Sequence, residues 1–340
     1  MHFLRALEAV PQPKLPEHPR LKPWYRVVET GDALVLEYAQ TAVVFEGDAA
    51  KRLLPALLPL LDGTRTRAEI AERLAGGGGP AAGHVEQALG LLDRHRLLLD
   101  GPDLAGSDPP DVAGTVQLMS AAGPGPSLAE VRAAIGRAVV DVVGVGDAAA
   151  RIVELLRASG VGHVHRAGWP DADAVAVPTR LVVAVPGRAE AGDLDRWNRA
   201  AVAGGQVWLQ VLPFDGRFAA VGPLYVPGET CCFECYRLRR RATSGYADEF
   251  AAIEQAAIEA PSGPALTATV AGIAATVALR WIAYRDPHLP GAFYACEAGG
   301  TSLSQHRVYR VPRCSACSGL TDLAPPLPWF KETTDVQARP

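Results

Sequence analysis

Residues 138–168 read "AVVDVVGVGDAAARIVELLRASGVGHVHRAG". The first nine are almost wholly apolar and end on glycine, as in a strand buried on both faces. Ala148 to Ser159 has helical spacing, and "VGHVHRAG" has the length and composition of a second strand. The alternation continues downstream. "RLVVAVP" (Arg180–Pro186) is a third strand, "GDLDRWNRAAVAGG" a helix closed by Gly204-Gly205, and "QVWLQVLP" a fourth strand. Strand and helix in strict succession, with strands apolar on both faces, predict an α/β fold with a doubly wound, mostly parallel, Rossmann-like sheet.

The turn after the first strand is Gly144-x-Gly146-x-x-Ala149, close to a dinucleotide fingerprint and correctly set between strand and helix. What should follow is absent. A ribose-binding site needs an acidic side chain near the end of the next strand, and Arg166 and Ala167 stand there. Asp171 and Asp173 come only after Pro170. The loop is therefore read as a degenerate nucleotide loop that marks the fold, and ATP binding is not expected. His163 and His165 share one face of their strand by period 2, and strand-end polar residues account for them better than a ligand pair.

Six cysteines occur in the chain. Cys232-x-x-Cys235 has a counterpart in Cys314-x-x-Cys317. Each short spacing lets two sulfurs converge on one ion at about 2.3 Å, and two such pairs predict a four-thiolate zinc site. Four protein ligands leave no open position for water, so the role is structural. A thioredoxin-like redox pair is the weaker alternative, since it would leave the second pair without a purpose. Cys231 and Cys296 are read as small buried apolar groups. The arginines that follow the first pair, Arg237, Arg239, Arg240 and Arg241, are read as a solvated or interface face of a helix.

Residues 21–100 form a smaller module. Three strand-like runs, Tyr25–Glu29, Ala33–Tyr38 and Thr41–Phe45, precede three helical segments. The first segment begins after Asp48 and carries Pro55 and Pro59, which should kink or shorten it. The second opens on a capping box, Thr66 with Glu69. The third places Val85, Ala88, Leu89 and Leu92 on one stripe. This order predicts a winged-helix-like β3α3 module. Residues 1–20 precede it as an extension, 101–114 are read as a linker, 115–323 as the larger domain and 324–340 as a Pro-rich tail.

The totals agree. With 340 residues there is material for two or three domains. A formal charge of −4 argues against non-specific nucleic-acid binding, and the third helix has only Arg94 and Arg96 near its end, which argues against a DNA reader. The N-terminal residues lack a secretory apolar stretch. The apolar run from Pro264 to Leu279 is read as a core helix rather than a membrane span. A cytoplasmic protein is expected, and disulfides are not.

The strand–Gly loop–helix followed by paired CxxC resembles the ThiF/MoeB type of ubiquitin-activating-like proteins. It is most similar to their ocin-ThiF-like branch, partner proteins of the cyclodehydratases that form azolines in ribosomally made peptides (RiPPs). The relevant segments are "VVGVGDAAARIVELLRASGVGHV", "VPGETCCFECYRLRRR" and "RVYRVPRCSACSG". The N-terminal module resembles the PqqD-like RiPP recognition element over "LVLEYAQTAVVFEG", "LLDGTRTRAEIAERL" and "VEQALGLLDRHRLL". Pro55 and Pro59 depart from that element, whose helix is usually unbroken there.

The resemblance implies a non-catalytic protein that binds the leader of a precursor peptide. It would present the core to a YcaO-type cyclodehydratase, which spends ATP to close thiazolines or oxazolines in thiopeptide or linear azole peptide biosynthesis. The third strand, Ala42, Val43, Val44, Phe45 and Glu46, would be the edge to which the leader adds. Val85, Leu89 and Leu92 would line the facing wall, although a helical stripe is as often plain core. Adenylating-type folds commonly pair, so a homodimer is one expectation; nucleic acid and membrane are not expected partners. The alternative is an active ATP-dependent adenylating enzyme of the ThiF/MoeB type with Cys231 or Cys296 as carrier.

Overall fold

The computed structural model describes residues 15–318, apart from 32, 39–40, 77–81, 103–107, 123–126, 170–179, 188–189, 213, 257–259, 261 and 298–301. Asp171, Asp173 and the 324–340 tail lie outside the described residues, as does most of the 1–20 extension. Two compact units divide the chain.

The first unit runs to Ala138 and takes in Leu155–His163 and Leu279–Asp286. It opens with β1 (Pro19–Leu21), β2 (Arg26–Thr30), β3 (Ala33–Tyr38) and β4 (Thr41–Glu46). β2, β3 and β4 form an antiparallel sheet in that order, with Leu36 opposite Val43 and Leu34 opposite Phe45. Leu34, Leu36 and Phe45 point into the core and their neighbours point out, the alternation of a sheet with one wet face. The next segment is broken as the prolines require. A π-helical turn at Ala49–Leu53 gives way to α1 (Leu54–Leu57) and a 3-10 turn at Leu58–Leu60.

α2 (Arg67–Gly76) starts on its capping box. The Thr66 amide donates to Glu69 at 2.8 Å, and the Glu69 amide donates to the Thr66 hydroxyl at 3.2 Å. α3 (Ala82–Arg94) follows, then β5 (Leu98–Asp100), which pairs antiparallel with β1. That pairing, with Glu17 bound to Arg67 at 3.0 Å, makes residues 17–20 part of this unit rather than an extension. α4 (Pro110–Ala122) and α5 (Leu128–Arg137) complete it. α4 replaces part of the expected linker: Pro110 suits a first helical position, where no intrahelical N–H bond is needed.

The second unit holds β6 (Val139–Gly144), the start of α6 (Gly146–Ala158), most of β7 (His163–Ala167), β8 (Arg180–Val185), α7 (Ala191–Gly204), β9 (Trp208–Leu212), β10 (Phe218–Tyr225), α8 (Phe233–Thr243), α9 (Phe250–Gln255), most of α10 (Pro264–Tyr284), β11 (Ala292–Glu297) and β12 (Ser302–Arg307). Its sheet has the order β12-β11-β10-β9-β8-β6-β7. β6 pairs with β8, and β8 with β9, in parallel. From β9 through β12 every pairing is antiparallel. The sheet is therefore mixed, parallel from β6 through β8 to β9 and antiparallel beyond. The sequence pattern revealed only the half whose strands run as unbroken apolar stretches.

β6 carries one charge into the sheet interior. Asp141 is 4% exposed, accepts from the Arg180 guanidinium of β8, and lies 3.1 Å from His165 Nδ1 of β7. α10 is 21 residues long and apolar enough to span a bilayer by length and composition, so it exceeds the apolar run seen in the sequence. Ala271, Ala274 and Ala278 along it are nevertheless fully buried within the protein.

The turn from β6 into α6 depends on glycine. Gly144 has φ +121°, and a Cβ there would lie 2.0 Å from the Val185 carbonyl oxygen. Gly146 has φ +85° with open space around it. Gly144→Ala is expected to destabilise the fold by about 2–3 kcal/mol or more, from strain plus collision, and Gly146→Ala by about 1 kcal/mol, from strain alone. Thermal melts of both variants check the order, and equal losses would contradict the close approach.

Candidate metal centre and peptide-binding edge

Cys232 and Cys235 sit at the start of α8, and Cys314 and Cys317 in the turns after β12. Cys232 is the residue before the first turn, so the i, i+3 spacing of the pair puts both sulfurs on one side of the helix start. Asn198 of α7 fixes that start. Its side-chain oxygen accepts the Phe233 amide at 2.9 Å, satisfying one of the donors a helix N-terminus leaves open.

All four sulfurs lie within 4.8 Å of one another. Cys232 is 3.9 Å from Cys235 and 3.7 Å from Cys314, and Cys235 is 3.5 Å from Cys317. Sulfurs at 2.3 Å from a central ion would be about 3.8 Å apart on a tetrahedron, so the donor set fits a four-thiolate zinc ion. Two donors meet this cluster, while burial raises the Cys317 thiol. The Val311 amide donates to Cys235 at 3.3 Å, and the Arg310 guanidinium donates to the Cys317 carbonyl. The Cys232 thiol donates to Cys235, which lowers the Cys235 pKa and raises that of Cys232. Four such sulfurs share one small buried volume stably when a cation sits among them.

Cys231 and Cys296 are buried and stand apart from this cluster. Burial pushes the Cys231 thiol up to about 12 and raises Cys296. Both are thus poor nucleophiles, which counts against a carrier role.

At the degenerate nucleotide loop, Gly144 and Gly146 both hold left-handed backbone, and Ala149 is fully buried under the first turn of α6. β7 ends at Ala167 without an acid. Asp147, exposed in the first turn of α6, puts a carboxylate where a phosphate would seek the helix dipole.

In the first unit, β4 is an edge strand among the described residues, paired only to β3. Ala42, Val44 and Glu46 face outward, with Val44 53% exposed; Val43 is half-buried and Phe45 is core. The Phe45 ring meets His95, just past α3, edge-on at 6.0 Å, so the end of α3 stands beside this strand. Val85, Leu89 and Leu92 do not form an accessible wall. They are 0%, 1% and 0% exposed and pack with Leu34, Leu57 and Ile70, because the apolar stripe of α3 is what closes the core of this unit.

Sequence reasoning missed Asn198, Arg310 and Val311. Position supplied a signal for the last two, which lie just ahead of Cys314; Asn198 reaches the site only through the packing of α7 on α8.

Comparison with solved structures gives the fold. A heterocyclase in complex with substrate and cofactor matches with a TM-score of 0.65 and 23% identity over 88% of this chain. The heterocyclase TruD matches with a TM-score of 0.64 and 23% identity over 89% of it. E. coli MccB with MccA-N7isoASN matches with a TM-score of 0.64 and 13% identity over 88% of it. The chain shares their fold. It spans 39% and 43% of the two heterocyclases, and 99% of MccB. No protein-family model matches the sequence, and no curated protein does so.

The purified chain is expected to hold about one zinc per molecule. Cys232→Ser and Cys314→Ser should lose it and melt at lower temperature, whereas Cys231→Ser should keep it. Elemental analysis with thermal melts decides this, and full zinc in Cys314→Ser would remove that cysteine from the site.

Proposed function

We propose that the chain is a leader-peptide-binding partner in RiPP maturation and does no chemistry of its own. In this reading the first unit is a PqqD-like, winged-helix-like recognition element. It captures the leader of a precursor peptide on β4 and presents the core to a separate YcaO-type cyclodehydratase, in the cytoplasm. The observation that carries the reading is the open edge of β4: a row of main-chain donors and acceptors, flanked by outward Ala42, Val44 and Glu46 and by the end of α3. An extended peptide added there gains ladder hydrogen bonds, and alternate side chains give it register.

The likeness to heterocyclases supports the setting. The length of those proteins that this chain does not span is where we put ring closure, supplied here by the partner enzyme. The zinc site is structural in this reading. It holds the second unit together, while Arg166 and Ala167 standing at the end of β7 where an acid is needed, and the carboxylate of Asp147, disfavour a nucleotide.

An ATP-dependent adenylating enzyme is the second reading. It is favoured by the intact glycine turn and by the match to MccB with ATP. Peptide-dependent pyrophosphate release by the chain alone would establish it.

Fluorescence anisotropy with a labelled leader peptide from a precursor gene beside this one tests the first reading. Val44→Glu should weaken binding at least tenfold, a loss of about 1.4 kcal/mol. Val28→Glu, on the opposite edge strand β2, should leave it unchanged. A leader that binds Val44→Glu as tightly as the parent, or does not bind the parent, sinks the proposal.

A further inference from the structure

The second unit contains a cavity of about 830 Å3, within the range of ~300–1,000 Å3 common for ligand sites. It lies between one face of α8, the short helix α9 and the exposed face of the antiparallel strands β10 to β12, and reaches Gly187 beyond the end of β8. None of its lining belongs to the zinc cluster, the glycine turn or β4.

The floor is aromatic. Phe233 and Tyr236 of α8, Phe218 of β10 and Phe293 of β11 line it, with Phe250 from α9. The rim is cationic, and among the described residues no carboxylate is paired with Arg239, Arg240 or Arg307. The Arg240 guanidinium stands over the Tyr236 and Phe250 rings at 5.8 and 5.7 Å. Arg239 donates to the carbonyls of Tyr309 and Arg310, and Arg307 to those of Pro290 and His288.

Two carboxylates also line the cavity, and both are already engaged. Asp215 accepts the amides of Arg217 and Phe218 at 2.9 and 2.7 Å, and Glu254 pairs with Arg237 at 2.8 Å. Among the described residues, therefore, three guanidinium charges surround an apolar floor with no carboxylate of the protein bound to them.

The strand at the margin narrows the choice of occupant. β12 pairs only with β11 among the described residues and is exposed along all six positions, so its free side offers unpaired main-chain groups next to the cationic rim. A free anion would use the arginines but neither the aromatic floor nor that edge. A peptide can use all three.

We infer that this cavity binds an acidic peptide segment bearing large apolar side chains. Carboxylates engage Arg239, Arg240 and Arg307 while an aromatic or branched side chain enters among Phe218, Tyr236 and Phe293. The inference does not depend on leader capture at β4.

The test uses the full chain and a fluorescein-labelled acetyl-Glu-Phe-Leu-Asp-Phe-Glu amide, with a control in which lysine replaces each acid. Anisotropy should show saturable binding of the acidic probe, at least tenfold tighter than the control. Arg240→Glu and Ile253→Glu, both exposed at the rim, should each weaken it at least tenfold while keeping the parent melting temperature; Val44→Glu should not change it. If one rim variant melts early, the other carries the test. Equal binding of the lysine control, indifference to the folded rim variant, or loss in Val44→Glu would overturn the inference. Displacement of the probe by ATP at concentrations that leave the lysine control bound would overturn it in favour of a nucleotide.

Discussion

Four sulfur atoms converge from turns 82 residues apart, and much of the second unit depends on that convergence. The pair at the start of α8 fixes one end of that helix; the pair after β12 fixes the chain as it leaves the sheet. Between them run α9, α10 and the last two antiparallel strands. Joining the ends of such a long loop is entropically unfavourable, and an ion held by the four thiolates would recover the loss through a few strong bonds. The same closure sets α8 over the sheet and so defines the aromatic floor beneath it. The cysteine cluster thereby shapes a neighbouring cavity that it does not itself line.

The two units divide structural and binding roles differently. In the first, side chains do the closing. The stripe of Val85, Leu89 and Leu92 is consumed by the core, and what remains for a partner is backbone at the edge of β4. In the second, the four-cysteine cluster and buried strands do the closing, and side chains are left over to line a cavity. The glycine turn persists within the second unit as a structural necessity: Gly144 must lie against Val185, whatever binds or does not bind above it.

What the sequence disclosed follows from how strongly each element is written locally. β6, β8 and β9 are largely apolar runs rich in Val and Leu, so they stood out. Thr66 and Glu69 announced the start of α2, and the cysteine spacing announced the cluster of four sulfurs. β12 was invisible because "SLSQHR" is exposed on both faces and so has no alternation to detect. β1 and β5 are three residues each and exist only because they meet. The cap that Asn198 gives α8 is a tertiary contact between side chain and backbone, and no spacing rule encodes it. The stripe on α3 was legible as a stripe; only packing shows that none of it is left for a ligand.

Asp141 has a further consequence for assembly. β6 and β8 are apolar on both faces, so sliding one past the other by a residue would still bury Val and Ala against Val and Leu. Alternation, which sets alignment in a half-wet sheet, has no purchase here. The lone carboxylate does. In the observed alignment Asp141 of β6 meets Arg180 of β8, and a one-residue slip would turn it to the opposite face, away from its cation. A buried carboxylate deprived of its guanidinium is far costlier than a mismatch of methyl groups. The pair thus acts as a registration mark, telling two otherwise interchangeable greasy strands where to stop.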